Sequence, residues 1–148
     1  MSIFYSKKPA DFNQKVAVST VFLDCKDSLL LLQRVLTSRI APGKWGVPGG
    51  KLEIDETPLE GLRREIYEEL FINLDTENLV YMQSFYVRHS SVDYQLHLFR
   101  CTLPEYPQIV INPLEHNAFI WQDKRSLHEL SLLEGQYEAF KLSGYIES

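Results

Sequence analysis

A mixed α/β fold, with helices flanking a sheet, is predicted by two observations. Four runs rich in β-branched and apolar residues, 15–24, 29–35, 78–89 and 92–103, read as strands. Between the second and third lies PLEGLRREIYEEL, residues 58–70, whose apolar residues recur at helical spacing. Such a helix must lay its apolar stripe against the sheet. The 148 residues suit a single domain, taken as 1–148, and the 45% of them that are hydrophobic can fill its core.

Residues 1–14 are polar and irregular, with Phe4, Tyr5 and Phe12, and suggest a short arm over the domain. KVAVSTVFLD, 15–24, is a strand, Cys25 to Ser28 a turn, and 29–35 a second strand, so the pair forms a hairpin. Arg34 ends that strand. Arg39 lies in the loop 36–44, where Pro42-Gly43 marks a turn. Trp45 to Pro48 is short and apolar, Gly49-Gly50 permits close backbone approach, and 51–53 is a brief strand leading to the helix. A second, longer hairpin is expected from 78–89 and 92–103 around Ser90-Ser91. Both faces of 92–103 are partly apolar, as in a strand covered on two sides, and Pro104 and Pro107 end it. Further on, 108–111 reads as a short strand, 113–116 as a loop, 118–121 as a strand and 126–130 as helical. Ser131-Leu132-Leu133-Glu134 has the capping-box pattern and should open a last helix reaching about Leu142.

The helix at 58–70 carries the chemistry. Thr57 is a good N-cap, Pro58 suits the first helical position, and Glu60 stands where a capping box wants its acid. Leu59, Leu62, Ile66 and Leu70 form the apolar stripe. Glu65, Glu68 and Glu69 fall within about 100° of one another, at the edge of that stripe. Like charges at this spacing repel by roughly a few tenths of a kcal/mol per pair. Two readings account for them. One is a solvated acidic face neutralised by Arg63, Arg64 and Lys51. The other is a site for a divalent cation, Mg²⁺ above all, which takes hard oxygen ligands and favours phosphate-bearing substrates. Helix geometry alone leaves both open. Gly61, in the middle of the acidic face, costs about 0.5–1 kcal/mol against Ala. Room for metal or phosphate is one reason for it, neutral drift the other.

The spacing is more specific. From Gly50, five residues lead to Glu56 and seven more to Arg64-Glu65-Ile66, then Glu68-Glu69, Phe71 and Ile72. This resembles the Nudix box, Gly-x5-Glu-x7-Arg-Glu-U-x-Glu-Glu-x-Gly-U, with U aliphatic. Every polar position is matched over 23 residues, and the lead-in Trp45-Gly46-Val47-Pro48-Gly49-Gly50-Lys51 also resembles the family's. The departure is Phe71 in place of the box's last Gly, where a left-handed conformation is free for Gly and strained for Phe. Helix termination at Asn73 would avoid that strain.

The resemblance implies a Nudix α/β/α sandwich with the box as loop–helix–loop. It implies Mg²⁺-dependent hydrolysis of a nucleoside diphosphate linked to a moiety X, with Mn²⁺ an alternative metal. Glu65, Glu68 and Glu69 are then the metal ligands, Glu56 a further one through water, Gly50 a backbone carbonyl ligand and Arg64 the residue that orients an acid. The base is a box Glu or one in a later loop, for which Glu115 of Pro113-Leu114-Glu115-His116 is the candidate. Lys51, Arg34 and Arg39 are candidates for phosphate or sugar, and Tyr86 for stacking on a ring, with Phe85, Tyr94 and Phe99 as further aromatics. Trp45 and Pro48 look like the MutT-like branch, favouring nucleoside triphosphates cleaved to monophosphate and pyrophosphate. The lead-in Arg39 to Trp45 pulls towards nucleotide sugars. A non-catalytic nucleotide sensor is the other class, but such domains usually lose box acids and none is lost here.

Charge and composition set the remaining expectations. A net charge of −5 at pH 7 with no basic stripe argues against a nucleic-acid partner. Cys25 and Cys101, both in apolar runs, read as reduced core residues of a cytoplasmic protein. No apolar run approaches membrane-span length, and the N-terminus lacks a signal-peptide pattern. The expected partner is a small-molecule nucleotide, and a homodimer is left open.

Overall fold

The computed structural model describes residues 1–90 and 92–147. The strands are β1 Ser2–Tyr5, β2 Gln14–Cys25, β3 Ser28–Arg34, β4 Trp45–Gly46, β5 Gly49–Lys51, β6 Leu79–His89, β7 Val92–Thr102 and β8 His116–Asp123. Among the described residues two α-helices flank them, α1 Pro58–Leu70 and α2 Gln136–Leu142. The mixed sheet runs β1-β6-β7-β2-β3-β4, with β5 added to β2 and β8 to β3. Among the described residues, strands β2 and β7 pair in parallel and the other strand pairs are antiparallel, with one further parallel bridge between Trp45 and Leu132.

β2 places the site. Its outer end turns into β3, Asp24 opposite Leu29, whereas Val18, Ser19 and Thr20 pair with Lys51, Gly50 and Gly49 of β5. The loop ahead of α1 is thereby pinned to the centre of the sheet. Side chains alternate across the layers. Val21, Leu23, Leu30 and Leu32 pack under Leu62, Ile66 and Leu70 of α1. Phe22, Leu29 and Leu31 pack with Leu98 and Phe140 of α2 on the opposite face. Burial on both faces explains why 29–32 is an unbroken run of leucine. Cys25 and Cys101 are buried and free. None of the described helices is long and apolar enough to cross a membrane.

Four local expectations are corrected. The N-terminal arm contains β1, which pairs with β6, Phe4 opposite Val87. Residues 108–111 form no strand; the Val110 N–H donates instead to the Leu70 carbonyl at 3.1 Å. The helical stretch expected at 126–130 is a 3-10 segment at Lys124–Glu129. The pattern at Ser131 does not cap a helix, and α2 starts after Gly135 at φ 83°. Ser131 is held elsewhere: its carbonyl accepts the Trp45 N–H at 2.9 Å and its hydroxyl accepts Lys44 Nζ at 2.8 Å. The second hairpin forms as expected, though Ser91 of its turn lies outside the described residues.

The α1 capping box is complete. Glu60 N–H donates to Thr57 Oγ1 at 3.1 Å, and Thr57 N–H to Glu60 Oε1 at 2.9 Å. The helix does not run on to Asn73. It ends at Leu70, and Phe71 itself takes the left-handed conformation, φ 61° and ψ 36°, donating its N–H to the Tyr67 carbonyl at 2.9 Å. The left-handed geometry expected of a glycine at this position is kept without the glycine. Phe71 is 65% exposed and rests on the Tyr67 ring, 5.0 Å between centroids. Left-handed backbone costs an L-residue about 1–2 kcal/mol, more than one exposed aromatic contact returns. Phe71→Gly is therefore expected to raise stability by up to about 1 kcal/mol in urea denaturation. A loss would show that the Tyr67 contact outweighs the strain.

Candidate active site

The site grows from two close approaches that β5 and α1 make. Gly50 lies so near Glu65 that an added Cβ would stand 2.5 Å from the carboxylate. Only glycine lets that carboxylate lie against the strand. Gly61 does not make room for a ligand: its missing Cβ would fall 2.1 Å from Leu52 Cδ2 and 3.2 Å from Glu56 Oε1. The space belongs to Leu52, so the glycine serves packing of the loop on the helix.

The three acids of α1 separate sharply. Glu69 is buried, with Oε1 accepting the Gly49 N–H at 2.9 Å. Burial pushes its carboxyl up to about 8, against the Gly49 hydrogen bond, and the charges of Glu65 and Glu115 add to the rise. Glu65 is mostly buried and is also raised, chiefly by burial, with Arg64 opposing. Glu68 is 55% exposed and lies 3.3 Å from Arg64 Nη1.

Arg64 ties the box together. Its Nε donates to Glu56 Oε2 at 2.7 Å, and its Nη2 donates to Glu56 Oε1 at 2.9 Å and to the Lys51 carbonyl at 3.0 Å. Nη1 donates to Glu65 at 3.1 Å. Glu56 also accepts the Glu53 N–H at 2.7 Å, so both its oxygens are engaged. The Arg64 hydrogen bonds hold its carboxyl down at about 2.

Across from α1, the loop before β8 brings in Glu115 and the start of β8 brings in His116. Ligand atoms of Glu69, Glu115 and His116 lie within 4.8 Å of one another. His116 Nε2 stands 3.8 Å from Glu69 Oε2. Burial, and then the Arg34 charge, push His116 down to about 4, so this contact is not an ion pair at neutral pH.

These groups line one lobe, about 420 Å³, of a cleft in two parts. It is lined by Glu65, Glu69, Glu115 and His116, together with Arg34, Thr37 and Ser38. The second lobe, about 290 Å³, is mainly apolar, with Phe4, Val47, Tyr94, Leu96, Leu98 and Leu133 among its walls. Arg34, Gly49, Gly50 and Lys51 line both and form the neck. The Nε of Arg34 there is buried without a hydrogen-bond partner.

Several sequence candidates stand elsewhere. Arg39 is exposed and lines neither lobe. Tyr86 also lies off the cleft, its ring edge-on to Phe12 at 5.4 Å. Phe85 is buried against Phe4, and Phe99 against Tyr81 under α1. The apolar lobe contains residues that sequence reasoning missed, notably Phe4 and Leu133. Phe4 arrives through the β1–β6 pairing, which no local signal announces.

A mixed sheet between helices, with a carboxylate-lined loop–helix at its centre, defines a class that the comparisons identify. The NUDIX domain family model matches residues 13–142, and the chain belongs to the Nudix family. It is similar to an 8-oxo-dGTP diphosphatase from Proteus vulgaris, 43% identical over 54 residues, which cover 36% of this chain and 47% of that protein. A MutT-like protein from Streptomyces ambofaciens is 47% identical over 47 residues, 31% of this chain and 30% of that protein. The matched stretch thus spans less than half the length of either relative. The fold is shared with a MutT NUDIX hydrolase from Burkholderia pseudomallei, TM-score 0.75 at 20% identity, over 87% of this chain and 98% of that one.

Proposed function

We infer that the protein is a Mg²⁺-dependent hydrolase of nucleoside diphosphate-X compounds, acting on nucleoside triphosphates to give monophosphate and pyrophosphate. One observation carries this reading. Glu65, Glu69 and Glu115 line one lobe of a cleft whose neck offers Arg34 and Lys51. The donor set fits the metal: the carboxylates are hard oxygens. The carboxyl of Glu69, pushed up to about 8 by burial, is a site where the protein alone does not stabilise the charge and a cation would. Glu65, Glu68 and Glu69 would hold the ion with the Gly50 carbonyl, and Glu56 would act through water. When bound, Mg²⁺ would supply neutralisation of phosphate charge and a more acidic water.

The remaining work falls to the chain's own side chains. Arg34 and Lys51 hold phosphate oxygens at the neck, with the unpartnered Arg34 Nε as a ready donor. Arg64 fixes Glu56 and Glu65 in place. Glu115 takes the proton of the attacking water. Phosphoryl transfer depends on this positioning more than on covalent chemistry.

The test is a panel of triphosphates, nucleotide sugars and dinucleotides at fixed Mg²⁺, with products resolved by chromatography. Pyrophosphate from triphosphates is the expected result. Sugar phosphate with monophosphate, and no triphosphate turnover, would move the substrate to nucleotide sugars. No metal-dependent release from any compound would reject the hydrolase. Glu115→Gln should lower turnover by about 10²–10⁴-fold, the usual contribution of a general base. A fall of less than about tenfold would hand the role to an acid of α1.

A further inference from the structure

We propose that a cavity on the α2 side of the sheet, apart from the active cleft, binds a phosphate monoester carried on a ring or other apolar body. It shares no lining residue with either lobe of the cleft, so this second site is independent of the hydrolase reading.

The cavity, about 450 Å³, is lined by the 3-10 segment Lys124–Glu129, by α2 and by the chain that follows α2. Local rules build it. Gly144, at φ 77°, turns the chain after α2, and the Ile146 N–H donates to the Phe140 carbonyl at 3.2 Å. Tyr145 is buried there, its ring 4.6 Å from that of Phe22 and its hydroxyl donating to Asp24 Oδ2 at 2.7 Å. The 3-10 segment is anchored too. The Asp123 carboxylate accepts the Arg125 N–H at 2.8 Å, and the Asp27 carbonyl accepts the Lys124 N–H at 3.1 Å. Both segments are thus held before a ligand arrives, which lowers the cost of binding.

Two kinds of group line the cavity. Lys124, Arg125 and His128 bring N–H donors and positive charge, in a chain whose net charge is −5. Leu127, Ile146 and the ring of Tyr137 are apolar. Lys124 is not spent on an acid. Lys26 is paired with Glu105 and Arg125 with Asp123, whereas Lys124 has no carboxylate partner among the described residues. Its Nζ lies 4.2 Å from the centre of the Tyr145 ring, a contact that positions the charge without neutralising it. Asp123 engages Nε and Nη2 of Arg125 and leaves Nη1 for a ligand.

These groups define the occupant. A phosphate monoester carries about −1.5 to −2 charges at pH 7 and presents three acceptor oxygens, which suit Lys124, Arg125 and His128. Its body is covered by Leu127, Ile146 and Tyr137. The volume falls in the range of about 300–1,000 Å³ that small molecules occupy, more than inorganic phosphate fills. Glu147 also borders the cavity and disfavours the added charge of a di- or triphosphate.

Titration of the ¹⁵N-labelled chain with phenyl phosphate, adenosine monophosphate, inorganic phosphate and phenol, followed by NMR, tests this. Saturable amide shifts at 124–128 and 145–147 are expected with a monoester, and weaker binding of inorganic phosphate and of phenol. The tighter monoester tells whether the body is a simple ring or a nucleoside. Shifts confined to Gly50, Glu65 and Glu115 would put the ligand in the cleft and overturn the proposal. So would no binding of either monoester, or inorganic phosphate binding as tightly as both. Lys124→Gln should weaken the tighter monoester by about tenfold or more, the usual loss when a hydrogen bond to a charged group is removed. Lys124→Arg, which keeps the charge and the ring contact, should bind nearly as wild type does. His128→Gln changes an exposed side chain and should weaken binding without unfolding, so it decides the matter if Lys124→Gln does not fold. Equal affinity in wild type and in the folded glutamine variants overturns the site.

Discussion

Glu69→Gln is expected to cut turnover by about 10²-fold or more while raising the melting temperature of the metal-free protein. The two effects have one origin. Glu69 is a buried carboxylate crowded by the charges of Glu65 and Glu115. Its folded carboxyl is pushed up to about 8 by burial, from an ordinary 4.5. A carboxyl raised in the folded state holds a proton that the unfolded chain releases. Its contribution to stability is therefore complete below pH 4.5 and is lost as pH rises through about 8. Metal-free wild type should melt progressively lower across that window. Glutamine keeps the Gly49 N–H bond through its own carbonyl oxygen and removes the titration. The variant's melting temperature should accordingly be flatter with pH. Saturating Mg²⁺ should stabilise wild type far more than the variant, because a ligand bound only by the folded state adds its binding free energy. Calorimetric scans at several pH values, with and without Mg²⁺, check all three. A metal-free variant less stable than wild type at neutral pH would mean that Glu69 is a packing residue.

The contrast between Glu68 and Glu69 marks where sequence reading stops. Helical spacing put both on the acidic face beside the apolar stripe, and that much was legible. It did not reveal that Glu69 is buried under β5 while Glu68 remains 55% exposed. That difference is set by the Gly49 backbone, which β2 holds over the helix. The capping box at Thr57 was readable because its two hydrogen bonds are local. The same pattern at Ser131 misled because its groups are spent on Lys44 and Trp45, far away in sequence. Gly61 misled for a similar reason: Leu52, which fills the space beside it, comes from the preceding loop. The box acids are thus readable by spacing. The apolar lobe is not, since it is assembled from β1, β2, β7 and the residues opening α2.

Arg64→Lys is the second substitution with a large expected effect, because it keeps the charge and discards the shape. Arg64 meets Glu56 with two parallel donors at 2.7 and 2.9 Å, Glu65 at 3.1 Å, and the Lys51 carbonyl at 3.0 Å. A planar guanidinium reaches all of these at once; an ammonium offers three donors from a single point. Lysine here would satisfy one acid and release the other, along with the end of β5. Glu65, whose carboxyl burial raises and Arg64 lowers, would lose the contact that opposes the rise. Residues that orient metal ligands typically contribute about 10–100-fold to activity. Turnover should fall by that amount, and the Mg²⁺ concentration for half-maximal rate should rise, with little change in substrate KM. Arg64→Ala should be no more than a few fold worse than Arg64→Lys. Glu56→Gln should reproduce part of the loss. Its effect cannot arise from protonation of the native acid, whose carboxyl the Arg64 bonds hold at about 2. Near-normal rates and Mg²⁺ dependence in Arg64→Lys would show that a positive charge suffices and that the fork is dispensable.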